Sequence, residues 1–203
     1  LVSIAATGGA APVFRISPDE PWRIIRTRWR ISGVVQGMVE GGGRVSGYFT
    51  SATGITLYTG DAYGSSFHDN AFIGDAGSNL VHRKTIRNLP GKRQPIAERP
   101  SDESDIEFLR SRDNWFRPVN FANGPDGCLY ICDMYRETIE HPWSLPQGIK
   151  KHVDLDRGND RGRIWRVVPT DYKRPAFSLG RDSGWQRTIN RRLAFESGNA
   201  IVQ

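Results

Sequence analysis

The sequence predicts an all-β chain in which two small antiparallel sheets stand side by side as blades of a partial β-propeller. Three observations carry this expectation. Twenty-two glycines and twelve prolines are spread over 203 residues without a period, so the chain turns often and its strands are short. Two stretches roughly 60 residues apart follow one plan of strand, turn, strand, connection and strand, the mark of a radially repeated sheet. Helical spacing is confined to a short stretch at 105–110, an insertion and the tail. Two blades cannot close a ring, so the expectation is part of a larger propeller, with a two-sheet sandwich as the competing arrangement.

Residues 1–47 form a lead-in rich in glycine and arginine, with one predicted strand over 22–31. Alternation along that strand would place Arg26, Arg28 and Arg30 on one face, where they could meet an anion. The run VEGGGRVSG at 39–47 is too flexible for a strand and is read as a loop. The first meander comprises GITLYTG (54–60), AFIGD (71–75) and LVHRKTI (80–86), joined by DAYGSSFHDN and AGSN. The polar stretch 87–114 carries a short predicted helix over 105–110. The second meander comprises PVNFA (118–122), the turn NGPDG, CLYICD (128–133) and GRIWRVV (162–168). An insertion at 135–162 interrupts it and is expected to hold a helix capped by Ser144 with a proline in its first turn. In the tail, Trp185, Ile189 and Leu193 recur at helical spacing, so the propeller part is placed at 48–182 and the start of a helical module at 183–203.

Composition bounds the function. A hydrophobic content of 37% with six Trp, six Tyr and nine Phe suits a globular chain rather than a disordered one. The net charge of +6 comes from cations interleaved with acids, without a recognition-helix pattern or an aromatic RNA-binding signature, so a solvated basic surface is expected and nucleic acid is not. Cys128 and Cys132 fall four apart in one strand, about 13 Å at about 3.3 Å per residue, too far for a disulfide, and the redox compartment stays open. No stretch approaches the ~20 apolar residues of a membrane span. The four histidines make no zinc motif. Asp154, Asp156 and Asp160 in DLDRGNDRGR have the composition of a calcium loop without its closing glutamate, and turn chemistry is the expected role. Beginning at Leu1, the sequence reads as a piece of a longer protein.

In a meander the entrance of the first strand and the turn joining the second and third strands share one end of the sheet. In the first meander that end receives Thr50, Ser51, Thr53, Asp75, Ser78 and Asn79. In the second it receives Arg117, Asp133, Tyr135, Arg136, Glu137, Glu140 and His141. These polar side chains are expected to meet at the mouth of a channel and hold an anionic cofactor or a substrate carboxylate, with His141 as the local base. Alternatively, Arg117 pairs with Asp133 or Glu137 to hold a loop down, and His141, just before a proline, is a packed loop residue. Trp115, Tyr135 and Trp143 offer stacking surfaces for a carbohydrate or a protein. His82, in mid-strand, is read as structural.

The stretches ISPDEPWRIIRTRWR, VEGGGRVSGYFTSATGITLYTGDAY, NAFIGDAGSNLVHRK, EFLRSRDNWFRPVNFANGPDGCLYICDMYRETIEHPWSLPQGIKKHVDL and GNDRGRIWRVVP resemble the propeller region of bacterial membrane-bound dehydrogenases, the PVC-type haem-binding CxxCH proteins. These are similar to the soluble quinoprotein glucose/sorbosone dehydrogenases. The resemblance runs from about residue 14 to 170. It implies about two blades of a six-bladed propeller, a sugar or alcohol dehydrogenase using pyrroloquinoline quinone and calcium, and a periplasmic or extracellular place. It also implies partners within the intact protein: the remaining blades, HEAT-like helical repeats and a cytochrome c domain carrying haem c, whose CxxCH motif this sequence lacks. Of the quinone contacts, Arg117 matches the second arginine of an RxRD pattern, while Trp115 and Pro118 replace the first arginine and the aspartate. A glycine near Gly77 stands where a lysine is expected. The resemblance thus implies an oxidoreductase, with a non-catalytic carbohydrate- or protein-binding propeller as the alternative.

Overall fold

The computed structural model describes residues 11–91, 93–173 and 184–189. Most of the regular structure is strand, arranged as two antiparallel sheets that do not close into a barrel. The first sheet holds β1 (Ala52–Leu57), β2 (Ala71–Asp75) and β3 (Leu80–Arg87) in sequence order. The far edge of β3 is shared by β4 (Ile96–Glu98) at one end and β5 (Leu109–Arg110) at the other. The second sheet is β6 (Pro118–Asn123), β7 (Leu129–Asp133) and β8 (Arg163–Val167). The predicted six strands of the two meanders are all present, and β2 runs over the predicted residues.

Strand chemistry explains the pattern. Proline opens β6, the first strand of its sheet, where a missing N–H costs no ladder bond. Both first strands carry a register irregularity near their start, between Ala52 and Ile55 in β1 and between Pro118 and Asn120 in β6, a second sign of one repeated plan. The turn NGPDG closes β6 to β7 with Gly127 at φ 81°, a backbone position that favours glycine.

The main core lies between the sheets. Tyr58, Phe72, Val81, Phe116, Phe121, Leu129 and Ile131 pack there, with Tyr63, Phe67 and Phe108 against them. The sheets approach closely because β1 and β2 lack bulk where they meet β6. A Cβ on Gly54 would stand 2.9 Å from both the Asn120 Cα and the Val119 carbonyl, and one on Gly74 would stand 2.8 Å from the Pro118 carbonyl, all tighter than packing tolerates. The Tyr58 hydroxyl donates to the Gly127 carbonyl at 2.5 Å and accepts from the Ala62 amide at 2.9 Å, tying the other ends of the two sheets together.

Three elements differ from expectation. Residues 22–31 are not a strand: Pro21–Ile31 is an α-helix, α1, with Pro21 in its first turn after an extended Glu20. The arginine alternation conceals the helical repeat of Trp22, Arg26 and Trp29, and a proline at that position is preorganised for a helix start. Arg26 is therefore buried while Arg28 is exposed, and the predicted three-arginine face does not form. The helix expected over 105–110 is instead an irregular segment leading into β5, because Leu109 and Arg110 pair with Val81 and Leu80 of β3. In the insertion, Ser144 ends a 3-10 turn, Pro142–Ser144, and the one-turn helix α2 runs Gln147–Lys150 behind Pro146. Thr53, expected before the first strand, lies inside β1. In the tail, residues 184–189 are helical; Leu193 and the rest of the predicted module lie outside the described residues.

His82 has the structural role expected of it. Its Nδ1 is 2.5 Å from Glu107 Oε2, and Glu107 Oε1 accepts from the Phe14 amide and from Arg99. This knot fastens the segment at 12–14 and the loop at 99–107 to β3. Burial pulls the imidazole below its ordinary 6.5, and the Glu107 hydrogen bond offsets this only in part, with Arg99 and Lys84 adding opposing charge. Burial works to raise Glu107, but His82 and Arg99 hold it below its ordinary 4.5. Both folded-state values lie under the unfolded ones, so the unfolded chain takes up more protons on acidification and both groups lose stability as pH falls. The His82 share is fully present above 6.5 and goes as pH drops through the folded value. The Glu107 share follows below 4.5. Urea unfolding is expected to show falling stability from pH 7 to 5, and His82→Gln should flatten that limb; an unchanged slope would rule the knot out as its cause.

Candidate functional site

At one end of the two sheets the polar residues expected there do converge. They are held together by Arg117, whose exposure is 0%. Arg117 stands one residue before β6, and its side chain runs between the sheets and α1. Its Nε donates to the Arg136 carbonyl at 2.9 Å and its Nη1 to the Ala76 carbonyl at 2.8 Å. Its Nη2 donates to Glu20 Oε1 at 3.0 Å and to the Glu137 carbonyl at 2.6 Å. Burial pulls the guanidinium below its ordinary value and Glu20 opposes this. The residue thus ties the turn after β2, the start of the insertion and the approach to α1, and it is closed to a ligand.

Its neighbours are equally committed. Asp75, fully buried, accepts four backbone amides: Thr50 on Oδ2, and Ser51, Gly77 and Ser78 on Oδ1, at 3.1 to 3.2 Å. Asn79, at φ 58°, accepts the Ser17 hydroxyl at 2.7 Å and donates to the carbonyls of Asn114 and Phe116. Asp133 does not pair with the Arg117 guanidinium; its Oδ1 accepts the Arg117 and Tyr135 amides and its Oδ2 the Trp165 indole N–H at 2.9 Å. The Thr53 hydroxyl clamps the sheets by donating to the Pro118 carbonyl at 2.7 Å. Arg136 donates to the Asp156 carbonyl at 2.7 Å, and the Glu137 carboxylate meets Arg157 at 3.3 Å. His141 is exposed, and its Nδ1 accepts the Trp143 amide at 3.2 Å as the cap of a 3-10 turn.

The implied cofactors can be tested on these groups. A quinone needs cationic N–H groups open to its carboxylates, and the matching arginine has none open. The residues do not fit that group. Among the described residues no three His, Cys, Asp or Glu side chains come together as a metal group. In the 154–163 loop, Asp154 Oδ1 accepts the Asp156 amide and the Asp156 carbonyl accepts the Asn159 amide, which is the turn chemistry expected there.

Sequence reasoning missed an open cleft between α1 and α2. It has a volume of about 520 Å³ and is walled by Trp22, Ile25, Trp29, Ile149 and Val153, with Glu137 and His152 at its rim. Trp22 is buried against Leu145 and Ile149, and the guanidinium carbons of Arg23 and Arg26 lie 5.3 and 5.1 Å from its ring centre. Arg26 also donates to Glu140 at 2.7 Å. Burial works to raise Glu140, but Arg26 holds it below the ordinary carboxylate value. These contacts hold α1 against the insertion and fix the cleft's width. The signal was present: Pro21 followed by Trp22 and Trp29 seven residues apart marks one helical face. Of the aromatic surfaces that were expected, Trp143 is 91% exposed, while Trp115 and Tyr135 sit 5.5 Å apart with the Arg163 guanidinium 3.7 Å over the Tyr135 ring.

Residues 2–171 match a family described as a domain of unknown function, DUF7133. The chain belongs to the DUF7133 family. The match covers both sheets, α1 and the insertion, so the Arg117 cluster and the tryptophan cleft are both parts of the DUF7133 domain. No curated protein and no solved structure matches the chain. No helix among the described residues is long and apolar enough to cross a membrane.

Proposed function

We propose that the DUF7133 domain supplies two blades of a β-propeller and serves to bind a carbohydrate rather than to oxidise one. The blade reading is supported by two successive meanders of one plan, by register irregularities at matching places in their first strands, and by β1 lying against β6. The binding reading rests on one observation. Arg117, Asp75 and Asp133 are committed inside the fold, while beside them lies an open cleft that presents Trp29, with Trp22 buried in its wall. Indole faces receive the apolar face of a sugar ring, and Glu137 and His152 at the rim offer hydrogen-bond partners to its hydroxyls.

Titrating the intact protein with mono- and disaccharides while following tryptophan fluorescence tests this. Saturable quenching is expected, weakened about tenfold by Trp29→Ala, the equivalent of about 1.4 kcal/mol. Reduction of a redox dye by the intact protein with pyrroloquinoline quinone, calcium and a sugar would replace the binding reading with the oxidoreductase one. Quenching unaltered by Trp29→Ala would move the ligand out of the cleft.

A further inference from the structure

The two elements that wall the tryptophan cleft carry cations and no acid. Within Pro21–Ile31, α1 holds Arg23, Arg26, Arg28 and Arg30, and the stretch 147–152 of α2 and its end adds Lys150 and Lys151. Carboxylates from elsewhere meet three of these six. Glu20 lies 3.0 Å from Arg23, Glu140 2.7 Å from Arg26 and Glu40 3.3 Å from Arg30. Arg28, Lys150 and Lys151 pair with no acid among the described residues, and Arg28 and Lys151 are exposed. The one carboxylate in the cleft wall, Glu137, is already met by Arg157 at 3.3 Å. Beside it, Arg136 donates to the neutral Asp156 carbonyl and keeps its charge. The loop beyond Val153 returns two acids, Asp154 and Asp156, so Arg28, Arg136, Lys150 and Lys151 outnumber them around the cleft.

The unpaired cations stand where they act on the opening. Pro21 and Ile25 are in the wall, and Arg28, three positions after Ile25, continues their edge of α1. Lys151 falls between Gly148 and His152, both in the wall on the other side. Exposed charges act over a screening length of about 8 Å at physiological salt, so these side chains influence a ligand in the cleft without touching it. The cleft thus joins an apolar floor to a rim of positive sign.

We infer that the cleft takes an acidic saccharide, whose ring lies on Trp29 while its carboxylate or sulfate faces the side of Arg28 and Lys151. This rests on the carbohydrate reading of the cleft and names the class of sugar. A neutral sugar meets the same indole without the charge attraction, and an amino sugar meets repulsion from the rim.

The test titrates the full chain with a galacturonate trisaccharide and with its methyl ester, which keeps the rings and removes the charge. A sulfated neutral trisaccharide is the third arm and separates sulfate from carboxylate. Tryptophan quenching is expected to saturate at about tenfold lower concentration with an acidic sugar than with the ester in dilute buffer, and the difference should shrink as salt rises. In the double variant Arg28→Glu, Lys151→Glu, checked for an unaltered unfolding midpoint, the preference should vanish while the affinity for the ester stays. Equal affinity for the ester and both acidic sugars, or a preference that survives in the double variant, overturns this inference and leaves the carbohydrate reading in place. Quenching by none of the three removes that reading and this inference with it.

Discussion

Arg117→Met is expected to unfold the chain rather than to weaken a ligand. The substitution removes one of the two arginines on the buried Glu20 carboxylate, leaving Arg23 at 3.0 Å, and strips a donor from each of the Ala76, Arg136 and Glu137 carbonyls. Removing one partner of a buried ion pair costs about 3–5 kcal/mol, and each orphaned carbonyl adds about 1 kcal/mol or more where water cannot reach it. Set against a typical total of about 5–15 kcal/mol, the loss takes most of the domain's stability. Urea titration followed by tryptophan emission checks it. Arg117→Lys should be nearly as damaging, because an ammonium cannot reproduce four donations directed to four different groups. A well-folded Arg117→Met protein with an unchanged midpoint would mean that the guanidinium faces a ligand after all.

Asp75→Ala is the second large effect, expected at about 3 kcal/mol. Four backbone amides converge on this carboxylate, two from the chain entering β1 and two from the turn after β2. The Ala76 carbonyl beside it receives Arg117, so loosening that turn also loosens the junction with the second sheet. Asp75→Asn keeps one acceptor oxygen and should lose about half as much. Hydrogen exchange separates this from a general loss of packing: the amides of 50, 51, 77 and 78 should exchange fastest in the variant, ahead of the core strands β2 and β7. Uniform acceleration throughout would remove Asp75 from its role as the clasp of the turn.

These expectations bear on what an ionisable residue at a strand end means. The meander geometry correctly placed Asp75, Asn79, Arg117 and Asp133 at one end of the molecule, because chain reversal is fixed by the turn residues and the strand count. Their partners were not legible. Arg117 was weighed against Asp133 and Glu137, yet its carboxylate partner is Glu20, 97 positions away, and its other acceptors are carbonyls, which every residue carries and no pattern marks. The same limit applied to His82, whose structural role was legible but whose partner, Glu107, was not. The 22–31 segment failed for a different reason. Its arginines alternate as a half-buried strand would, and only Pro21 and the seven-residue spacing of Trp22 and Trp29 speak for the helix. Packing of Trp22 on Leu145 and Ile149 settled the competition.

The sequence by itself determined the sheet content, the order of six strands, the extent of five of them to within one residue at each end, the turn at 123–127 and the shared end of the polar residues; β1 runs Ala52–Leu57 rather than 54–60. These follow from local rules, since turn chemistry and side-chain alternation act over a few residues. Only the tertiary structure decided that Asp75 and Asp133 are taken up by backbone and indole N–H groups and Arg117 by three carbonyls and Glu20, that α1 is a helix, and that the open cleft lies between α1 and α2. Each of these is settled by contacts between segments far apart in the chain. The direction of a buried charge is set by the nearest group able to satisfy it, and that neighbour is known only after the chain has closed upon itself.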